Sequence, residues 1–289
     1  MAEKPAAQTT LITGGTEGLG KAIALRLARE GYRVFAAGRN AERRAKLAEE
    51  ARNLILPITP IEMDVCNDLS VDRALDEIRS VAGPVDVLIN NAGVAYGITM
   101  EDIRMEDLRR QFETNFFAAV RLTQRVLPEM RARHSGCIVN MSSVSGRFTL
   151  PVMGPYSSSK HALEAMSDAL RAEVKPFGVR VILIEPGYIR TNIENVAMEL
   201  NATYRPQFEK GPYTNVYTGF LNGWKKYTNA STTKPEDCAE IVLGALRAAQ
   251  PKPRYAVPKK AGRRIWFMRM LPSRMTDRIV ARDFGPATR

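Results

Sequence analysis

A short β-prone run, Thr9-Thr10-Leu11-Ile12-Thr13, leads directly into Gly14-Gly15-Thr16-Glu17-Gly18-Leu19-Gly20. Lys21 to Glu30 then shows helical spacing, with Ile23, Leu25, Leu27 and Ala28 apolar. Strand, glycine turn and helix in that order restrict the chain to few architectures, because this is the context a phosphate-binding turn needs. Gly14, Gly18 and Gly20 let the backbone turn tightly and approach a pyrophosphate without a Cβ in between. A helix starting at Gly18 offers free N–H groups and the positive end of its dipole to an anion. Thr16, Glu17 and Leu19 lie in the same turn and are read with it as cofactor-contacting. A loop that only turns the chain is the plainer alternative, and its position after a strand argues against it.

The alternation continues. Arg33 to Gly38 reads as a strand, Ala41 to Arg52 as a helix and Ile58 to Asp64 as a strand. Leu69 to Ala82 reads as a helix stopped by Gly83-Pro84, and Val85 to Ile89 as a buried strand running into Asn90-Asn91-Ala92-Gly93. Val179 to Ile184 is a further strand, Pro235 to Ala249 a helix and Pro253 to Val257 a last edge strand. Repeated βα units with short connections imply an α/β fold, a doubly wound parallel sheet of about seven strands with ligands at the C-terminal strand ends. A chain of 289 residues suits one large domain of this kind. The expected organisation is a Rossmann-type catalytic domain over 1–258, with a lid over about 192–234, and a basic extension over 259–289.

In a nucleotide fold of this type, an acid at the end of the second strand bonds the ribose 2′-hydroxyl. Here Gly38 and Arg39 stand in that place, and an arginine suits a 2′-phosphate, so NADP(H) is favoured over NAD(H). Glu17, an acid in the phosphate turn, either pairs with Arg39 or weakens that preference.

A tyrosine and a lysine four residues apart, Tyr156 and Lys160, share one face of a helix. A fixed ammonium beside a phenol favours the phenolate and lowers its pKa from about 10. Such a pair can donate and accept a proton beside a carbonyl or alcohol. By itself the spacing is common on exposed helices.

In order along the chain stand Thr13-Gly14-x-x-x-Gly18-x-Gly20, Asn90-Asn91-Ala92-Gly93, Asn115, and Ser143 within Ile138-Val139-Asn140-Met141-Ser142-Ser143. Tyr156-x-x-x-Lys160 and Pro186-Gly187-Tyr188-Ile189-Arg190-Thr191 follow. This series resembles the short-chain dehydrogenases/reductases of the single-domain type, over roughly residues 8 to 258. The resemblance implies Tyr156 as general acid/base and Lys160 as its electrostatic partner and a ligand of the nicotinamide ribose. It implies Ser143 as hydrogen-bond donor to the substrate oxygen and Asn115 as holder of a water that extends the proton path. In the family the active serine precedes the tyrosine by thirteen positions, which selects Ser143 over Ser142. Asn91, Ala92 and Gly93 would line the nucleotide, Asp64 and Val65 would flank the adenine, and Pro186, Gly187, Ile189 and Thr191 would hold the nicotinamide end.

The segment after Thr191 carries Val196, Met198, Leu200, Tyr204, Phe208, Tyr213, Tyr217, Phe220 and Trp224, with no clear helix before Pro235. Long segments of this sort at a site are often lids. An aromatic, Met-containing lid suggests a lipophilic substrate of steroid, retinoid or acyl type, with Tyr96, Ser143, Leu150, Met153, Tyr188 and Met198 as pocket residues. That these aromatics simply pack the insertion onto the core is the equal alternative. A 3-oxoacyl reductase and a non-catalytic nucleotide sensor remain as other readings, since fold does not fix function.

From Gln250 onward there are eleven Lys/Arg and two acids, so this end carries +9 of a total net charge of +11. The high pI therefore describes the extension rather than the main domain. Arg263-Arg264-Ile265-Trp266-Phe267-Met268-Arg269-Met270-Leu271-Pro272 interleaves cations with bulky apolar residues, as a short interfacial helix does. It either contacts a membrane surface or docks on the protein itself. Nucleic acid is disfavoured, because no binding motif accompanies the charge. Three dispersed cysteines, Cys66, Cys137 and Cys238, and two histidines offer no metal spacing and suit a reducing cytoplasmic setting. No apolar run reaches the length of a membrane span. The resemblance also implies a homodimer or homotetramer built on helices around 105–133 and 156–176.

Overall fold

The computed structural model describes residues 7–190 and 193–286, with the side chains of 193–196 and 264 left aside. Seven strands form one parallel sheet: β1 Thr9–Thr13, β2 Arg33–Gly38, β3 Ile58–Glu62, β4 Val87–Asn90, β5 Gly136–Met141, β6 Val179–Pro186 and β7 Arg254–Val257. Their spatial order is β3-β2-β1-β4-β5-β6-β7. The order reverses between β1 and β4, and that switch point opens the crevice in which this fold class binds ligands.

Strand alternation splits the core into two layers. Ile12, Val34, Ile89, Val139 and Ile182 face α1 Gly18–Arg29, α2 Ala41–Asn53 and α10 Pro235–Arg247. Their neighbours Leu11, Phe35, Leu88, Ile138 and Val181 face α3 Asp68–Ala82, α5 Ala118–Ala132 and α6 Gly154–Val174. Leu11 and Ile12 are fully buried, each contributing roughly 1.5–3 kcal/mol. Truncating Ile12 to alanine would cost about 2–5 kcal/mol. The helices start where the sequence supplies caps: Asn40 accepts from Arg43 N at 2.8 Å and Asn67 from Ser70 N at 2.9 Å.

Between α4 Met105–Phe112 and α5 the chain makes a π-helical turn, Glu113–Phe117, which carries Asn115. Such turns recur at functional sites because they break the regular hydrogen-bond ladder.

The segment expected from sequence to be a lid without a clear helix is mostly helical: α7 Ile193–Asn201, α8 Arg205–Lys210 and α9 Thr214–Asn229. Its aromatics fall at helical spacing, and Tyr217 and Phe220 of α9 are buried. The extension adds α11 Lys259–Met270 and α12 Ser273–Phe284. α11 lies on β7, where a Cβ at Gly262 would come within 3.2 Å of Ala256 Cβ. α12 packs on α9, with Phe284 buried against Phe220 at 6.4 Å between ring centres.

Candidate active site

The glycine turn is fastened to the end of β4 from below. Thr13 Oγ1 accepts from Asn91 N at 2.9 Å and Ala92 N at 3.0 Å. Asn91 Nδ2 donates back to Thr13 O at 2.9 Å and Gly14 O at 3.1 Å. Gly14 and Gly18 take φ of +60° and +52°, where a side chain is strained. At Gly20 a Cβ would collide with the Gly14 carbonyl and sit 2.6 Å from Asn91 Nδ2. At Gly38 it would sit 2.6 Å from the hydroxyl of the buried Thr16. This is a cradle kept open by missing side chains, and it fits a pyrophosphate at the start of α1. The Leu19 side chain packs against the core layer under α1.

Beyond the end of β2, Glu17 pairs with Arg43, a residue the sequence reading passed over. Arg39 is exposed and lies 3.8 Å from Asp64 Oδ2. Asp64 Oδ1 also accepts from Cys66 N at 3.0 Å. The carbonyl of the buried Val65 accepts from Arg121 at 2.9 Å. Arg44 is held by the Gly38 and Arg39 carbonyls and by Glu62. Three arginines thus surround the end of β2, where a 2′-phosphate would be recognised.

The residues expected to be reactive converge at the C-terminal ends of β4, β5 and β6. Lys160 is only 5% exposed and donates to Met141 O at 2.8 Å. Its Nζ lies 5.8 Å from the centre of the Tyr156 ring. Burial lowers its pKa to about 8, against the pull of Glu164 one turn further along α6. The Tyr156 phenol moves the other way from the expected direction. Burial raises its pKa, and hydrogen bonding with Ser143 offsets part of that rise. The lysine donates to the Met141 carbonyl, and at the phenol burial outweighs the serine's hydrogen bond. Ser143 Oγ also accepts from Ser145 N at 3.1 Å and donates to Pro186 O at 3.3 Å. Ser142 lies on the opposite side, where a Cβ on Gly146 would come within 2.6 Å of its Oγ.

Asn115 spends its amide on structure. It accepts from Val94 N at 2.8 Å and donates to Val94 O at 2.9 Å and Ser159 Oγ at 3.0 Å. The strand end after Gly93 is thereby clamped to α6. Between Asn115, Lys160, Asn90 and Thr13 lies a cavity of about 10 Å³, close to what one water needs. Asn90 Oδ1, on its wall, has no protein partner. Asn90 Nδ2 donates to Asn140, and Asn140 to Ser167, each at 2.8 Å. Sequence reasoning missed this asparagine ladder, whose only sequence signal is a polar residue inside each of two buried strands.

It also missed a buried ionic cluster behind the site. Glu164 of α6 and Glu185 of β6 share Arg147 and Arg254. Arg254 Nε lies 3.0 Å from Glu164 Oε2 and 3.3 Å from Glu185 Oε1. Burial first, then the adjacent Glu164, lifts the Glu185 carboxyl to about 7.

On the substrate side, Leu150, Met153 and Tyr156 join one apolar cluster with Tyr217, Phe220, Trp224 and Phe284. Tyr188 meets Trp224 edge-on at 5.7 Å. Pro186 and Gly187 continue from β6, and Ile189 is buried in the core beneath. Two of the expected pocket residues stand apart from the cluster around Tyr156. Tyr96 is buried with Ile98, Ile103 and Tyr204 in a separate cluster, because the adjoining β4–α4 segment folds inward there. Met198 of α7 is exposed and makes no part of the Tyr156 cluster. Thr191 lies outside the described residues. Among the described residues no cluster of His, Cys, Asp or Glu is placed to hold a metal.

The comparisons with known proteins agree with this geometry. A family model for short chain dehydrogenase matches residues 8–201. The chain is 35% identical to an NADPH-dependent 3-dehydrocapnine reductase of Ornithobacterium rhinotracheale, over 96% of this chain and 98% of that protein. It is 40% identical to a 3-ketodihydrosphingosine reductase of Bacteroides thetaiotaomicron, over 64% of this chain and 65% of that protein. In fold it is similar to the crystal structure of an actinorhodin polyketide ketoreductase with NADPH, with a TM-score of 0.75, 28% identity, and coverage of 89% and 97%.

Proposed function

The chain belongs to the short-chain dehydrogenase/reductase family and is an oxidoreductase of the carbonyl/alcohol type; on that footing we propose that it uses NADPH to reduce a ketone on a lipophilic substrate. The observation that carries the reading is the convergence of Ser143, Tyr156 and the buried Lys160 beside the glycine cradle. When bound, the nicotinamide supplies the hydride. Tyr156 gives its phenolic proton to the carbonyl oxygen, and Ser143 donates a hydrogen bond that fixes that oxygen. Lys160 brings positive charge to the ribose and the proton path. A water in the cavity between Lys160, Asn115 and Asn90 would resupply the proton.

Three features support NADP(H) over NAD(H): the arginines at 39, 43 and 44 around the end of β2, the NADPH-dependent relative and the NADPH-bound neighbour. The lipophilic substrate is supported by the apolar cluster of α9 and α12 against Tyr156, and by relatives whose names place a ketone on capnine-type and sphingosine-type compounds. Leu150, Met153 and Tyr188 are the pocket residues this reading keeps. Assembly into a homodimer or tetramer is supported by an apolar groove of about 390 Å³ along α4 and the π-helical turn, where Met105 and Phe117 are exposed. A reducing, cytoplasmic setting is supported by three free cysteines, two of them buried. No helix of the described residues is long and apolar enough to cross a membrane. A peripheral lipid contact through the C-terminal extension would bring such a substrate to the site.

The test is fluorescence titration with NADPH and NADH, then turnover on a panel of long-chain 3-ketones, steroid and retinoid ketones, and 3-oxoacyl thioesters. Tighter NADPH binding with turnover of a lipophilic ketone supports the reading. Turnover of the thioesters alone would make this a 3-oxoacyl reductase. Tight binding with no turnover on any of them would favour a nucleotide sensor, and tighter NADH would overturn the cofactor assignment.

A further inference from the structure

The extension turns one face to the protein and another to the outside. Ile265 and Met268 of α11 are buried towards β7. The outward face carries Trp266, Phe267 and Met270, which are 66%, 53% and 67% exposed. Lys259, Arg263, Trp266 and Met270 follow one another at spacings of four, three and four residues, which lays them in one stripe along the helix. Lys260 and Phe267, seven apart, form the stripe beside it. Three large apolar side chains in water at one place are costly unless something covers them.

The charges say what covers them. α11 contains no acid, and Lys259, Lys260 and Arg263 have no ion-pair partner among the described residues. A second copy of the same face would set cation against cation. An anionic bilayer meets both requirements, because it takes indole and phenyl rings at headgroup depth and neutralises lysine and arginine. The adjoining helix α12 continues the arrangement, with Arg274, Arg278 and Met275 exposed and Phe284 buried against α9 of the lid. A Cβ on Gly223 of α9 would come within 2.7 Å of the Phe284 ring, so α12 and the lid are in direct backbone-level contact.

We infer that the outward face of α11, with Trp266, Phe267 and Met270 set among Lys259, Lys260 and Arg263, is a docking surface for anionic lipid. The inference goes beyond the proposed chemistry and stands without it. Docking holds α11 on the bilayer and, through α12, holds the lid helix α9 beside it.

The experiment floats the full chain with vesicles of phosphatidylcholine alone, and of phosphatidylcholine with phosphatidylglycerol. Binding to the anionic vesicles only, screened by high salt, is expected. The chain has two tryptophans, at 224 and 266, so emission reports the contact directly. A blue shift on anionic vesicles should vanish in Trp266→Phe. The combined Lys259→Gln, Lys260→Gln and Arg263→Gln variant should bind those vesicles about a hundredfold more weakly. NADPH binding and turnover of a water-soluble ketone should stay unchanged, which shows that the variant is folded. Equal binding to neutral vesicles, or none to either, overturns the inference. So does a concentration-dependent dimer that Trp266→Glu abolishes, which would make the face a self-contact. Duplex DNA bound as tightly as the anionic vesicles, with the same dependence on the three cations, would also overturn it.

Discussion

Lys160 donates to the Met141 carbonyl at 2.8 Å while its Nζ stays 5.8 Å from the centre of the Tyr156 ring. The two residues sit one turn apart on α6, and the ammonium makes its hydrogen bond to a main-chain carbonyl. In the protein alone, both pay for burial: the phenol is pushed up and the lysine is brought down to about 8.

The rate should therefore depend on pH through Lys160. A lysine whose pKa is depressed to about 8 is charged below that value and neutral above it. Since kcat/KM reports the free enzyme, it should be level below about 8 for carbonyl reduction and fall as pH rises beyond it. Lys160→Arg, whose cation persists to pH 12 and beyond, should keep whatever activity it retains through that range. A wild-type profile level to pH 10 would remove charge on Lys160 from the mechanism.

Tyr156→Phe removes the proton donor and leaves the ring that packs with Met153 and Trp224. Turnover should drop by about a hundredfold to ten-thousandfold. NADPH affinity should change by no more than about threefold, since only a transition-state interaction is lost. Stopped-flow binding beside steady-state rates separates the two. A variant that turns over like the parent would reassign the proton to another group.

Cofactor choice should respond to Arg39 and Glu17 in opposite directions. Arg39→Ala deletes a charge-assisted partner for the 2′-phosphate and should cut the NADPH-over-NADH binding ratio by about tenfold to a hundredfold. Glu17→Gln should raise that ratio, because Arg43 then turns its full charge to the phosphate instead of sharing it with a carboxylate. Fluorescence titration of both nucleotides with each variant checks this. A ratio unmoved by Arg39→Ala would place 2′-phosphate recognition on Arg43 and Arg44.

What could be read in the sequence follows from the range of the interactions. The strands and helices of the main domain were legible because hydrophobic period and glycine placement are local, as in Thr9–Thr13 leading into Gly14 and Gly18. The helices between 193 and 229 escaped the sequence reading because the aromatics there are read as a cluster instead of by their spacing in α9. Tyr96 and Met198 stand apart from the cluster around Tyr156, because sequence alone cannot tell an inward from an outward side chain. The Glu164, Glu185, Arg147 and Arg254 cluster draws on α6, β6, the loop after Ser143 and β7. No local pattern joins residues so far apart in the chain. The same holds for Glu17 with Arg43, where the partner lies across the turn between β2 and α2.

That cluster yields the last prediction. Glu185 is 4% exposed and faces Glu164 of α6, Arg147 of the loop after Ser143, Arg254 of β7 and Arg269 of α11. Its carboxyl is raised to about 7, first by burial and then by Glu164, and the arginines only partly counter this. The folded state therefore holds the proton more tightly than the unfolded chain does. For such a group stability is fully present below the unfolded value of about 4.3 and is lost as pH rises from there to about 7. Above 7 the loss is complete, on the order of 3–4 kcal/mol from this group. Glu185→Gln mimics the protonated form, so the variant should match the parent near pH 5 and melt several degrees higher near pH 8. Thermal unfolding followed at both pH values decides it. A variant less stable than the parent at both would mean that the ion pairs to Arg147 and Arg254 outweigh the burial of the charge.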